Sequence, residues 1–492
     1  MTHAQEPDLE ISLDPQDWEG LRRLGHRMVD DMLDYLRTVR DRPVWQPLPD
    51  DLSHLFDQPL PLDPEPAEAV YERFRTDILP YQLGNTHPRF WGWVIGTGSP
   101  LGMLGAMLAA GVNPNAWGGN QVAGHVERQV LAWLKEAFGF PPESSGLLVS
   151  GASMANLLAL AVARNDRAGF DVRDRGLQGS DPQLRVYASA EVHSSAQKAV
   201  ELLGLGARSL RKIPVGADFR MDLAALRGAV DQDLAAGDRP ICVIGTAGTV
   251  NTGAVDDLDG LARFCRERGL WFHVDGAFGA LAVLSPTLRP GVKGIEQADS
   301  VAFDLHKWMY MPYDVGCVLV RDETAHRGTF SLTPHYLAQA ARGLAHPVFS
   351  PSDYGPELSR SFRALKVWML LRTFGFSHYA RLVQQNVDQA AWLAQRVDRE
   401  PRLERLAPAP LNIVCFRFTA PGMSDESLNA LNQEVLIRLQ ERGIAAPTQT
   451  TLHGRFAIRV AITNHRSRRE DFELLVRESV RLGDEMLAEG FA

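Results

Sequence analysis

Between residues 146 and 303 the chain repeats one pattern: a short apolar run, a loop of small and polar residues, then a stretch whose apolar positions recur at helical spacing. Gly146 to Val149 leads into a helix over Asn156 to Arg164, Arg185 to Ala188 into Ser194 to Leu203, and Ile241 to Gly245 into Leu258 to Arg268. Leu270 to Val274 and Ser300 to Phe303 complete the series. Continuous apolar runs of this length read as strands buried on both faces, and their alternation with helices predicts a mostly parallel sheet covered by helices, an α/β fold. Ligands of such sheets bind beyond the carboxyl ends of the strands.

The flanks follow different patterns. Trp18, Leu21, Leu24, Met28, Met32, Leu33 and Leu36 mark an amphipathic helix; a proline-rich connector runs from Pro43 to Pro66, and a second short helix is predicted around Val70 to Ile78. Such a pair cannot bury its own apolar stripe, so it predicts packing on something else, with a second subunit as the candidate. A long helical pattern from Phe362 to about Val397 leads to a small α+β unit: a strand near Ile413 to Phe418, a helix near Glu426 to Arg442, a strand at Phe456 to Ile462 and a final helix from Glu470. At 492 residues the chain is too long for one core. The expected division is an N-terminal helical segment (1–85), a large α/β domain (86–380) and a small C-terminal α+β domain (381–492).

Composition narrows the function class. The net charge of −9 is spread along the sequence rather than gathered in a tail, which argues against a nucleic-acid partner and for an enzyme. No stretch approaches the length of a membrane span, and Met1 to Glu10 carries no hydrophobic signal region. Cys242, Cys265, Cys317 and Cys415 lie far apart with no metal-ligand spacing, so no metal site is expected and a reducing cytoplasm fits. Dinucleotide, Walker A, HExxH and GxSxG motifs are absent; Gly96-Thr-Gly-Ser-Pro-Leu-Gly lacks the GxGxxG spacing.

The strand ends carry the candidate chemistry. His273-Val-Asp275 closes one apolar run, and His306-Lys307-Trp308 follows another. A lone lysine there reads equally as a solvated strand end, but a carboxylate on an apolar strand is costly unless a cation or donors meet it. A lysine able to form a Schiff base, with a carboxylate able to keep a pyridine nitrogen protonated, suits pyridoxal phosphate (PLP). The attraction of Asp275 for a pyridinium at contact distance is of order 4 kcal/mol. Ser150-Gly-Ala-Ser153, opening a helix, offers donors for a phosphate, or else a simple N-cap. Ser300 and Asp304 are further polar candidates near the lysine. His193, after another strand, either stacks on a cofactor ring or caps a helix, and Thr246 and Thr249 either touch the cofactor or make the turn.

Taken in order, Arg27-Met-Val-Asp-Asp-Met, Thr86-His-Pro-Arg-Phe, Val192-His-Ser-Ser, His273-Val-Asp-Gly-Ala-Phe, His306-Lys-Trp and Ser361-Phe-Arg-Ala-Leu-Lys resemble the group II PLP-dependent decarboxylases, nearly end to end. The overall pattern is most similar to the aromatic-L-amino-acid decarboxylases. The resemblance implies fold type I, the aspartate aminotransferase-like fold, and decarboxylation of an L-amino acid, with aromatic substrates expected. It implies Lys307 as the Schiff-base lysine, Asp275 as the pyridinium partner and His193 as the stacking histidine. Ala152 and Ser153 would lie at the phosphate, with Thr246, Ala277 and His306 close to the cofactor. Tyr336 matches the mobile-loop tyrosine implied to protonate the substrate carbon, and Arg360 an arginine near the active site. A homodimer with shared active sites is also implied.

Three departures stand out. The family's usual Pro-His-Lys reads Leu305-His306-Lys307, and the Tyr-Phe-Pro of aromatic decarboxylases reads Trp93-Val94-Ile95. Where apolar and aromatic groups come from the partner subunit, this chain has Asn113-Pro114-Asn115. Trp93, Val94, Asn113, Asn115 and Arg360 are therefore the expected substrate-pocket residues. In the related aldehyde synthases the loop tyrosine is typically phenylalanine or the stacking histidine is changed, whereas Tyr336 and His193 are both present here. An aminotransferase would share the fold, which alone does not separate the activities.

Overall fold

Seven strands form the central sheet: β1 (Ser145–Val149), β2 (Leu184–Ser189), β3 (Leu210–Ile213), β4 (Arg239–Thr246), β5 (Trp271–Asp275), β6 (Ser300–Asp304) and β7 (Gly316–Val320), in the order β1-β7-β6-β5-β4-β2-β3. The computed structural model describes residues 11–179, 182–332, 340–346 and 349–490. Neighbours from β3 to β6 pair in parallel, while β7 runs antiparallel to both β6 and β1. The sheet is the mostly parallel one that the strand–helix alternation predicts. Two of its strands escape that reading: β3 at the edge is half polar, and β7 enters without a preceding crossover helix.

Side chains alternate between the two faces along each strand, and the consequence reaches the site. On β5, Phe272 and Val274 join the core shared with the helices Val122–Phe138 and Arg363–Asp398, and on β6 Val301 and Phe303 do the same. Trp271 and Ala302 point the other way, into the core under the helix Ala152–Arg167. By the same period of two, His273, Asp275, Ser300 and Asp304 belong to the face under Ala152–Arg167. Every polar side chain of these two strands is thus aimed at one helix.

The C-terminal unit holds an antiparallel sheet of β8 (Leu403–Arg405), β9 (Ile413–Phe418), β10 (Thr448–Leu452) and β11 (Arg455–Ala461), in the order β10-β11-β9-β8. The helices Asp425–Glu441 and Arg469–Ala488 pack with it. The helix Arg363–Asp398 serves both units: Val383 lies in the large core, Ala390 and Leu393 in the small one. The helix is broken at Gly375, whose φ of 73° is left-handed. A segment before the large domain is also shared. Trp91 stacks on Phe472 at 4.9 Å and exchanges backbone hydrogen bonds with Ala446 and Ala461, which ties residues 90–91 to the C-terminal unit.

The N-terminal helix spans Trp18–Arg37. Of its apolar stripe, Leu24 is buried, while Trp18, Leu21, Met28 and Leu33 are exposed. The second helix, Ala67–Arg73, runs on into a wider turn at Phe74–Ile78. Among the described residues no helix is long and apolar enough to cross a membrane.

Candidate active site

Lys307 sits in a single helical turn, Leu305–Trp308, directly after β6. Its Nζ is 2.8 Å from Asp304 Oδ2, and the side chain is 22 % exposed, so the amine is held yet reachable. The other Asp304 oxygen accepts the N–H of Ala152 at 2.6 Å, the first residue of the helix Ala152–Arg167. One carboxylate therefore joins the lysine to the helix end that offers backbone donors. Ser153, next on that helix, is exposed. His306 is buried, which lowers its pKa; its Nδ1 accepts the Val315 N–H at 3.2 Å, and its ring packs on Tyr313 with centroids 4.3 Å apart.

Asp275 ends β5, 4 % exposed. Asn156 Nδ2 donates to its Oδ2 at 3.0 Å and the Ala277 N–H to its Oδ1 at 3.3 Å. Burial raises the carboxyl above the ordinary carboxylate range, against the pull of His193, Lys307 and these two donors. A pyridinium would add the strong cationic partner that this burial calls for. His193 caps the helix Ser194–Leu202, its Nδ1 accepting the Ser195 N–H at 3.2 Å. Burial lowers its pKa; Asp275 acts against this and Lys307 with it, so the ring stands in the field of both. The capping and stacking roles are compatible, because the cap uses an edge of the ring and leaves a face free.

Thr246 ends β4, with its N–H on the buried carboxylate of Asp256 at 2.8 Å. Its Oγ1 is buried without a hydrogen-bond partner. An orphaned hydroxyl beside Asp275, its register partner on β5, is what a site shaped for a polar ligand presents. Thr249 makes the turn instead, its Oγ1 accepting the Ala254 N–H at 3.0 Å. The residues present fit PLP: a reachable amine, a buried carboxylate for the ring nitrogen, an open ring face on His193, a spare hydroxyl and a helix N-terminus.

Two expected site residues take other roles. Ser300 lies at the start of β6, away from the lysine; its Oγ is bonded to Trp271 Nε1 at 2.8 Å and to His273 Nδ1 at 2.9 Å. It supports the site from beneath rather than touching a cofactor. Arg360 is not a pocket arginine. Its side chain is 1 % exposed and donates to both oxygens of Glu127, at 2.9 and 3.1 Å, and to the carbonyls of Leu148 and Ala116. Both terminal nitrogens are thus taken up by a buried carboxylate and two carbonyls; only Nε, 3.8 Å from Glu357, lacks a hydrogen bond, and it too is buried.

The other pocket candidates are spread. Trp93 is 54 % exposed, with a left-handed φ of 45°. Its backbone is held by Thr448 Oγ1 and by Arg459, which donates to its carbonyl at 3.0 Å. Val94 is buried in the large core. Asn113 is exposed as the left-handed C-cap of the helix Pro100–Val112, and Asn115 accepts the Arg360 N–H at 2.9 Å. Tyr336 lies outside the described residues.

Sequence reasoning missed four residues. Asn156 and Ser195 bond to Asp275 and His193; Asn156 was legible as a lone polar residue within Leu and Ala on a helix face. Gly96 packs so closely that a Cβ there would collide with the carbonyl oxygens of His306 and Lys307. Arg459 is a buried cation with no ion-pair partner among the described residues; burial lowers its pKa to about 10.

The pyridoxal-dependent decarboxylase conserved domain matches residues 49–419. An aromatic-L-amino-acid decarboxylase of Bacillus atrophaeus is 32 % identical, covering 95 % of this chain and 96 % of its own. A phenylacetaldehyde synthase of Petunia hybrida is 31 % identical, covering 92 % and 91 %. The crystal structure of Catharanthus roseus tryptophan decarboxylase in complex with L-tryptophan superimposes with a TM-score of 0.85 at 26 % identity, over 96 % of this chain and 100 % of that one. With its lysine, its buried carboxylate and this match in hand, the chain belongs to the family of pyridoxal-dependent decarboxylases.

Proposed function

We propose that this protein removes the α-carboxylate of an aromatic L-amino acid as carbon dioxide and releases the amine. The observation that carries the reading is the placement of Lys307, Asp275 and His193 at the carboxyl ends of three strands of one sheet, β6, β5 and β2, with each acting on the charge of its neighbours. Bound PLP supplies the sink for the electron pair released when the bond from Cα to the carboxylate breaks. Lys307 Nζ is the group that would hold the cofactor. Asp275 would hold the ring nitrogen protonated, and His193 would lie against the ring. Asp304 keeps the lysine amine beside the helix end that binds the phosphate. Tyr336 delivers the proton to Cα.

The aromatic preference is supported by the relatives and by Trp93, a large exposed ring on a backbone fixed by Arg459 and Thr448. A homodimer is supported by the exposed apolar stripe of Trp18–Arg37 and by exposed Met107, Leu108 and Val112 on the helix Pro100–Val112. The four buried, unpaired cysteines are in keeping with the cytoplasm. A second reading, oxidative conversion to an aldehyde, has the phenylacetaldehyde synthases in its favour. Mass spectrometry of products from a pool of L-amino acids in air, with peroxide assayed alongside, separates the two. Amine without peroxide is expected, and Tyr336→Phe should divert product towards aldehyde and peroxide. Aldehyde and peroxide from the unaltered protein would contradict the proposal.

A further inference from the structure

Beneath the site runs a continuous chain of buried side chains. Trp271 Nε1 bonds to Ser300 Oγ at 2.8 Å, Ser300 Oγ to His273 Nδ1 at 2.9 Å, and His273 Nε2 to Asn156 Oδ1 at 2.9 Å. There it forks: Asn156 Nδ2 reaches Asp275 Oδ2 at 3.0 Å and Ser195 Oγ at 3.0 Å, and Ser195 Oγ meets His193 Nδ1 at 2.9 Å. All of these residues except His193 are buried.

An ionised Asp275 and the Ser195 N–H on His193 Nδ1 set the direction of the bonds. An ionised Asp275 only accepts, so the Asn156 amide turns its NH2 towards it and its carbonyl towards His273. His273 must then donate from Nε2. Burial lowers its pKa to about 3, so the ring is neutral and its Nδ1 accepts. Ser300 gives that nitrogen its proton and accepts from Trp271, whose indole only donates. On the other branch Ser195 accepts from Asn156 and gives its own proton to His193 Nδ1, which also accepts the Ser195 N–H. The proton of neutral His193 is therefore on Nε2.

We propose that Asn156 is a positioning residue, the branch point of a one-way hydrogen-bond relay that holds Asp275 as an ionised acceptor and His193 with its proton on Nε2. The inference rests on the assignment of PLP to this site and deepens it. With Asp275 ionised, Asn156 presents its NH2 to the carboxylate, and the Ser300 hydroxyl keeps His273 in the tautomer that donates to the Asn156 carbonyl, an arrangement suited to a carboxylate facing a protonated ring nitrogen. The charged groups acting on Asp275 are Lys307 and, when protonated, His193; His193 in turn feels Lys198 and Asp304. Asn156 is the neutral donor among them.

The test is retention of PLP by the holoenzyme in equilibrium dialysis from pH 9 down to pH 5, with thermal unfolding measured in parallel. Asn156→Leu removes both donors, so Asp275 takes up a proton at higher pH. Its PLP dissociation constant should rise about tenfold near neutral pH, and the acid limit of retention should move up by about one pH unit. Ser300→Ala, two bonds away and out of reach of the cofactor, should move that limit the same way by less, and Ser300→Thr should restore it. Ser145→Ala is the control: Ser145 is buried and bonded to His326 outside the relay, so unfolding alone should change. An unmoved acid limit in Asn156→Leu, or an equal shift in Ser145→Ala, would overturn the relay. Should Asn156→Leu not fold, an unmoved limit in folded Ser300→Ala has the same force. Failure of the unaltered protein to retain PLP would instead sink the cofactor assignment.

Discussion

A buried charge reveals its role by what satisfies it. Asp275 is left with one side-chain donor and one long backbone contact, a deficit that a ligand can fill, whereas the two terminal nitrogens of Arg360 are taken up by Glu127 and two carbonyls and its Nε is buried beside Glu357. Arg360→Ala should therefore act on stability. Stranding the buried Glu127 carboxylate costs about 3–5 kcal/mol, seen as a large fall in the thermal midpoint, while the preference among amino-acid substrates stays as it was. A changed substrate preference in a variant of unaltered stability would return Arg360 to the pocket. The two residues also show what sequence can and cannot say. Lys307, Asp275 and His193 were legible as a candidate set because a carboxylate, a lysine and a histidine stand at strand ends in a specific order. The surroundings of Arg360 were not, because Glu127 is 233 positions away and only the fold brings it near.

At the scale of elements, alternation along β5 and β6 decides which polar residues share a face, and position along the strand separates their work: Ser300 opens β6 and Asp304 closes it beside Lys307. The strands themselves were readable as apolar runs; the antiparallel β7 and the half-polar edge strand β3 were not, since neither follows the strand–helix rhythm. The segment around Gly96 is a second case. It reads as a glycine-rich loop, yet it is the surface against which the Lys307 turn is pressed, and its other end is tied to the C-terminal unit through Trp91. Gly96→Ala should force the backbone of residues 306–307 aside, at a cost of at least about 1–3 kcal/mol. Weaker PLP binding with the secondary structure intact is the expected outcome, read by cofactor titration and circular dichroism. Unchanged affinity would mean that the contact does not position the lysine.

For the whole molecule, the large sheet carries the residues proposed to hold the cofactor, and the C-terminal unit, through Arg459 and Thr448, holds the backbone of Trp93, the residue proposed to meet the substrate. The exposed apolar stripe on Trp18–Arg37 extends the same logic to a second copy. Leu21→Glu with Met28→Glu should weaken a dimer in sedimentation, and a wild-type protein that sediments as an active monomer would remove the shared-site proposal. The central claim is that all of this architecture presents one lysine to PLP. It is tested most directly by reducing the PLP-loaded protein with borohydride, digesting it and locating the phosphopyridoxyl group by mass spectrometry. The account predicts the label on Lys307; a label on any other lysine, or none, would contradict it.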